Sequence, residues 1–230
     1  MAIQTILAMT AEEIPNAPSG FSGGCIFGCH YSSTSQTLVG LPSSLPHGWG
    51  LILDDENPIT APDISGLVQQ LSRLEPAYIV LDFQRPATPD VLRLAEKIAA
   101  LPCPVSMPPE YGKNLCCSLF LPPIPPHISP EEYLRPWLHR DVWLELALDA
   151  VQISVTAEGS QMQSFPHAVA TDKAHVDSML HCHYKISHLH DTLQFYCYRT
   201  KDDIRQLLRS PLPANVKYGV GFFQELHTII

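Results

Sequence analysis

The sequence predicts an α/β fold, a compact (β/α)8-type (TIM-like) barrel with some helices shortened or missing. Three observations predict it. Short apolar runs of strand length alternate with amphipathic stretches of helical spacing, the pattern of parallel strands covered by helices. Roughly seven or eight such strand-like runs fit along the chain, a number that suits a closed barrel. The phosphate loops G-x-G-x-x-G and G-x-x-x-x-G-K-[ST], which advertise the rival open doubly wound sheet, are both absent. One barrel-like domain over residues 1–230 is expected, with residues 1–20, polar and holding Pro15 and Pro18, as an extended arm or short edge strand.

The elements follow in order. Residues 24–31 (GCIFGCHY) form a first apolar run, followed by a Ser/Thr-rich turn at 32–37. A second run, Gly50 to Leu53, ends in Asp54, Asp55 and Glu56. Asp63 is placed to cap a helix whose apolar positions Ile64, Leu67, Val68, Leu71 and Leu74 recur at three- and four-residue spacing. A buried strand, Tyr78 to Phe83, is closed by Pro86, and Thr88 then caps a helix with Val91, Leu92, Leu94, Ala95 and Ile98 on its apolar side. Val105–Met107 and Cys117–Leu121 read as short strands, each ended by proline. Ser129 at the cap and Pro130 at the first position open a helix that runs to Trp137. The runs 142–148 and 151–156 read as a hairpin or one bent strand, and 157–171 as a loop. Residues 181–188 and 193–198 are strand-like, Thr200 caps a helix Lys201 to Arg209, and 216–223 is a final strand.

Composition narrows the function classes. There are 14 Lys+Arg against 23 Asp+Glu, a net charge of −9, with no basic block, so a nucleic-acid binder is not expected. Hydrophobic residues are 45% of the chain, enough for a packed core, yet no apolar run reaches the roughly 18 residues of a membrane span. The N-terminal MAIQTILAMTAEE has no basic residue before its apolar stretch, so no secretory signal is expected. Seven cysteines, an odd number with no C-x-x-C pair, fit reduced thiols and a cytoplasmic setting. The 22 prolines cluster just after apolar runs, where they mark strand ends and rigid loops.

In a barrel, chemistry collects at the carboxyl ends of the strands. The polar residues there are Asp54, Asp55, Glu56, Asp82, Gln84, Arg85, Glu110, Tyr111, Gln224 and Glu225. Asp82 is the most informative: it follows four apolar residues in a central strand, where an unpaired charge is costly. Arg85, three residues on, is a candidate ion-pair partner. Asp82 and Glu110 are the catalytic candidates, and Gln84, Arg85, Tyr111, Gln224 and Asp54 the ligand-binding ones. Trp49, Trp137 and Trp143 sit in apolar contexts that read as core rather than as sugar-stacking platforms.

The segment Ala77-Tyr78-Ile79-Val80-Leu81-Asp82-Phe83-Gln84-Arg85-Pro86 resembles the signature strand of family 18 glycoside hydrolases, the chitinases and their relatives, D-G-I-D-L-D-[WF]-E-[YF]-P. Ile79, Leu81, Asp82, Phe83 and Pro86 fall on matching positions, and Pro104–Pro108 resembles the next family strand. The resemblance covers residues 50–110 and implies a related barrel that binds carbohydrate without a cofactor. It also implies a defect. The family's general acid is the Glu two residues after the last Asp, and here that position is Gln84; the Asp two residues before that last Asp is Val80 here. A carboxamide has no acidic proton near neutral pH, so Gln84 cannot protonate a leaving oxygen.

A second reading comes from the histidines. His175, His181, His183, His188 and His190, with Asp191, fall within 175–191. Two His on one strand face plus a carboxylate would suit zinc or iron, although no H-E-x-x-H pattern is present. The leading expectation is therefore a glycoside hydrolase-like protein that holds a carbohydrate or other small polar ligand, with no metal. The alternatives are a metal-dependent hydrolase using 175–191, or a non-catalytic partner-binding protein on a decayed enzyme scaffold.

Overall fold

The computed structural model describes residues 3–17, 23–60 and 62–228. The predicted barrel is present. Its eight strands are β1 (Gln4–Met9), β2 (Gly24–Ser32), β4 (Gly50–Asp54), β5 (Ile79–Asp82), β6 (Val105–Met107), β7 (Ser118–Leu121), β8 (Val142–Leu146) and β14 (Val216–Phe222). They run around the sheet in the order β1-β14-β8-β7-β6-β5-β4-β2, and the β1–β2 pairing closes the ring. β3 (Thr37–Val39), inside the span 32–37 and its flank, adds antiparallel to β2 on the outside. Residues 4–9, expected in an arm or edge strand, are instead a barrel strand with a neighbour on each side. Their run Ile6–Met9 is wholly apolar and at most 3% exposed, as a strand covered on both faces requires.

By its internal contacts the chain divides into two compact units: Thr5–Leu121 with Arg140–Trp143, and Met1–Gln4, Pro122–His139 and Leu144–Ile230. In the first, β5 lies between β4 and β6 and parallel to both, with Asp54 opposite Asp82 and Val80 opposite Ser106. Two helices follow the sequence reading closely. α1 (Ile64–Leu74) is capped by Asp63, whose Oδ1 accepts from Gly66 N (3.1 Å), and it buries Leu67 and Leu71. α2 (Pro89–Ala99) is capped by Thr88, whose Oγ1 accepts from Val91 N (3.3 Å), and it buries Val91, Leu94, Ala95 and Ile98. After β6 the proline-rich stretch leaves room only for the four-residue α3 (Pro109–Gly112).

Close packing at the amino ends of the strands depends on two glycines. A Cβ on Gly50 would lie 2.2 Å from the Tyr78 ring, and one on Gly24 would lie 2.7 Å from Trp49. Tyr78 uses that space to donate its hydroxyl to Gly24 O (2.6 Å) and to meet Trp143 edge-on, 5.5 Å between centroids. Trp49 and Trp143 are 4% and 1% exposed and belong to the core, as the sequence suggested.

The second unit holds α4 (Pro130–Leu134), which passes into a 3-10 turn at Arg135–Trp137, and α5 (Lys201–Arg209) and α6 (Phe223–Leu226). It also holds a five-stranded antiparallel sheet in the order β10-β9-β13-β12-β11, made of β9 (Ala150–Thr156), β10 (Gly159–Phe165), β11 (His175–Asp177), β12 (Cys182–Leu189) and β13 (Thr192–Tyr198). Two expectations are corrected here. The runs 142–148 and 151–156 are neither a hairpin nor one strand, because β8 belongs to the barrel and β9 to the second sheet. Residues 157–171 are not one loop, because 159–165 pair with β9. β10 is polar and almost entirely exposed, so it shows no apolar pattern to read.

A buried cation organises this unit. Arg199, 2% exposed, donates to the carbonyls of Ile124, Leu180 and His181, and Asp149 Oδ1 is 3.9 Å from it. Beside it Thr200 and Asp203 form a reciprocal cap on α5, and Asp203 Oδ2 also bonds His183 Nδ1 (2.8 Å). No helix among the described residues is long and apolar enough to cross a membrane.

Candidate functional site

β4 and β5 are parallel and in register, so Asp54 and Asp82 point to the same side at adjacent strand ends. Around them opens a cleft of about 430 Å³, lined by Asp54, Asp55, Glu56, Asp82, Gln84 and Arg85. All six stand in the first compact unit, and all six are polar residues that the sequence places at strand ends.

The floor is built by Asp55. Asp55 is 6% exposed, and its carboxylate accepts from two successive backbone amides, Gln84 N (2.9 Å) and Arg85 N (2.7 Å). That grip turns the chain as it leaves β5 and fixes where Gln84 and Arg85 begin. Arg85 then reaches back over the β4 loop, donating Nε to Asp55 O (2.7 Å) and a terminal nitrogen to Glu56 O (2.6 Å). The ion pair between Arg85 and Asp82 considered from sequence is not formed; the turn set by Asp55 aims the guanidinium at backbone carbonyls instead.

Gln84 leans toward Asp82, with its Nε2 3.4 Å from Asp82 Oδ1. Burial pushes the Asp82 carboxyl above its ordinary range, the charges of Asp54 and Asp55 push the same way, and the Gln84 amide opposes them. The arrangement therefore offers a carboxyl that holds its proton more readily than a free one, beside an amide that can donate and accept. It offers no second carboxyl at the Gln84 position.

Glu110 and Tyr111 brace this loop from behind. Glu110 accepts from Ala87 N (3.2 Å). Tyr111, 4% exposed, donates its hydroxyl to Arg85 O and meets Phe83 edge-on at 5.6 Å. Burial, with Asp55 and Glu110 nearby, pushes its phenol up to about 12, so it remains a donor across the working range. Gln224 lies on α6, in the other unit.

The histidine-rich segment does not assemble. His183 is taken by Asp203, His188 is exposed on β12, and His181 and His190 sit at turns with φ of 51° each. Among the described residues, the group of three metal-capable side chains within reach of one another is His30, Asp54 and Glu56. His30 is the one member that sequence reasoning missed. The available signal was its place at the carboxyl end of the 24–31 run, one strand over from Asp54.

No protein-family model matches the chain, and no curated protein does. Solved structures do match. One is the C-terminal domain of a protein from Desulfitobacterium hafniense provisionally named a chitinase, at 9% identity, covering 100% of this chain and 95% of that one, with a TM-score of 0.54. Another is a family 18 chitinase from Cycas revoluta, doubly substituted (Gly→Trp and Glu→Gln) and in complex with (GlcNAc)4, at 9% identity, coverage of 95% and 94%, and a TM-score of 0.51. The Bacillus cereus spore cortex-lytic enzyme SleL matches at 11% identity, 96% and 70% coverage, and a TM-score of 0.49. At such identities the likeness is one of fold: the chain has a (β/α)8 barrel like that of family 18 glycoside hydrolases.

Proposed function

We propose that this protein binds a neutral carbohydrate in the cleft at the ends of β4 and β5 and does not hydrolyse it by the chitinase route. One observation supports this above all: Asp82 and Gln84 line the same cleft side by side, with an amide where the family motif has its acid. In the family mechanism the substrate's acetamide attacks the anomeric carbon while that acid protonates the leaving oxygen. Gln84 has no proton to give, and Val80, at the other carboxylate position, is an apolar residue with no exposed surface.

What remains suits recognition. Carboxylates and a primary amide are the donors and acceptors that fix sugar hydroxyls in otherwise closed pockets, and the cleft volume lies within the usual ligand range. Four carboxylates against one guanidinium disfavour an anionic ligand and leave neutral sugars as the fitting class. The chitinase from Cycas revoluta that holds (GlcNAc)4 itself has a Glu→Gln substitution, so sugar binding and an amide go together on such a barrel.

Calorimetric titration with chitotetraose tests the proposal. Saturable binding is expected, weakened about tenfold or more by Asp82→Ala and by Gln84→Ala. Absence of binding to the folded wild-type protein, or binding indifferent to both substitutions, would overturn it.

A further inference from the structure

On one flank of the cleft, two of its lining carboxylates, Asp54 and Glu56, also stand beside a histidine. The parallel register sets His30 of β2 opposite Asp54 of β4, so imidazole and carboxylate project to the same side from adjacent strands. Asp54 Oδ1 accepts from Glu56 N (3.0 Å), a turn that folds the chain back on itself. This return brings Glu56 Oε2 to 3.7 Å from His30 Nδ1. One ligand atom from each of the three residues lies within 4.8 Å of the other two.

The donors are of different kinds: one imidazole nitrogen and two carboxylate oxygens, contributed by two strands and a loop. They are not occupied in building the cleft floor, which is the work of Asp55. Arg85, the cation of the cleft lining, directs its guanidinium to the carbonyls of Asp55 and Glu56 rather than to these carboxylates. Asp82, next to Asp54 in register, adds a further carboxylate on the same side. His30 and Asp54 are partly buried on rigid strands, and only Glu56 is largely exposed, so two of the three positions are set by the fold.

We propose that His30, Asp54 and Glu56 bind a divalent first-row transition metal ion. The imidazole favours such an ion over magnesium or calcium, which take all-oxygen shells, and the paired carboxylates supply the neutralising charge. The proposal stands apart from the carbohydrate reading, because the ion is measured with no sugar present.

Manganese is the suitable probe. A hard transition ion that takes carboxylate oxygens readily, it stays off the thiols of exposed Cys116 and half-buried Cys103 and Cys117, which would take up zinc. The full chain, dialysed against a chelator and then titrated with Mn²⁺ under electron paramagnetic resonance, is expected to hold one ion per chain. His30→Ala and Asp54→Asn should each weaken binding tenfold or more, whereas Glu96→Gln, an exposed position on α2, should not change it. Asn at position 54 keeps the acceptor for Glu56 N, so that variant preserves the turn; should His30→Ala not fold, His30→Gln replaces it. No Mn²⁺ retained at millimolar concentration, or retention unaffected by the folded His30 and Asp54 variants, would overturn the assignment.

Discussion

Asp55 sets the whole cleft, and removing its charge should show how much. Its buried carboxylate receives two backbone N–H bonds, from Gln84 and Arg85, at 2.9 and 2.7 Å. Hydrogen bonds to a charged partner contribute about 1.5–3 kcal/mol each, and neutral ones about 0.5–1.5 kcal/mol. Asp55→Asn keeps one acceptor oxygen and turns an NH2 group toward the second amide, so one charged bond is lost and the other becomes neutral. The expected loss of stability is about 2.5–4.5 kcal/mol, and Asp55→Ala, which leaves both part-buried amides without that partner, should cost about 3–6 kcal/mol. Urea unfolding followed by the fluorescence of the buried Trp49 and Trp143 reads these values. The same variants should weaken sugar binding, because Gln84 and Arg85 take their starting positions from the two bonds. An Asp55→Asn protein within about 0.5 kcal/mol of wild type, the range of an ordinary surface change, would refute the view that Asp55 fixes the turn.

Three further predictions follow from the same geometry. Val80→Asp with Gln84→Glu should turn over chromogenic chitooligosaccharides better than either change alone, since Val80 stands opposite Ser106, whose buried hydroxyl has no hydrogen-bond partner among the described residues and would meet the new carboxyl. Arg199→Met should destabilise the chain by about 3–5 kcal/mol in thermal or urea unfolding, because it strips three carbonyls of their donor and leaves Asp149 without a cation. Asp149 itself, pushed up to about 6 by burial against the opposing pull of Arg199, keeps its proton in the folded state to higher pH than in the unfolded chain. Its contribution to stability should therefore fall as pH rises from about 4 to 6, by about 3 kcal/mol in all, and Asp149→Asn should lack that slope in urea unfolding across the window.

The barrel strands legible in the sequence are those buried on both faces. Ile79–Leu81 and Leu51–Leu53 are unbroken apolar runs that end in acidic residues, and the helices at 64–74, 89–99 and 201–209 announce themselves by Asp63, Thr88 and Thr200 at their caps. The second sheet was harder. Its strand 159–165 is exposed at every position but Phe165, so neither alternation nor apolar content marks it. For residues 4–9 the prolines and polar residues farther along the segment outweighed the apolar Ile6–Met9.

At the site, strand-end position alone picked out the six residues that line the cleft. Their division of labour was not legible, because it depends on pairing across strands. Nothing in the sequence says that Asp55 rather than Asp54 takes the amides of 84 and 85, or that His30 faces Asp54 across a register set by the sheet. Nor does it say that the Tyr111 hydroxyl donates to the Arg85 carbonyl.

The central claim joins binding to the lack of hydrolysis, and one measurement tests both. Wild-type protein is incubated with chitotetraose at saturating concentration; the heat of binding is recorded, and the sugar is then recovered and separated by length. The account predicts saturable binding and chitotetraose returned intact over many hours. Shorter oligosaccharides accumulating in proportion to the protein, and suppressed in Asp82→Ala, would contradict it.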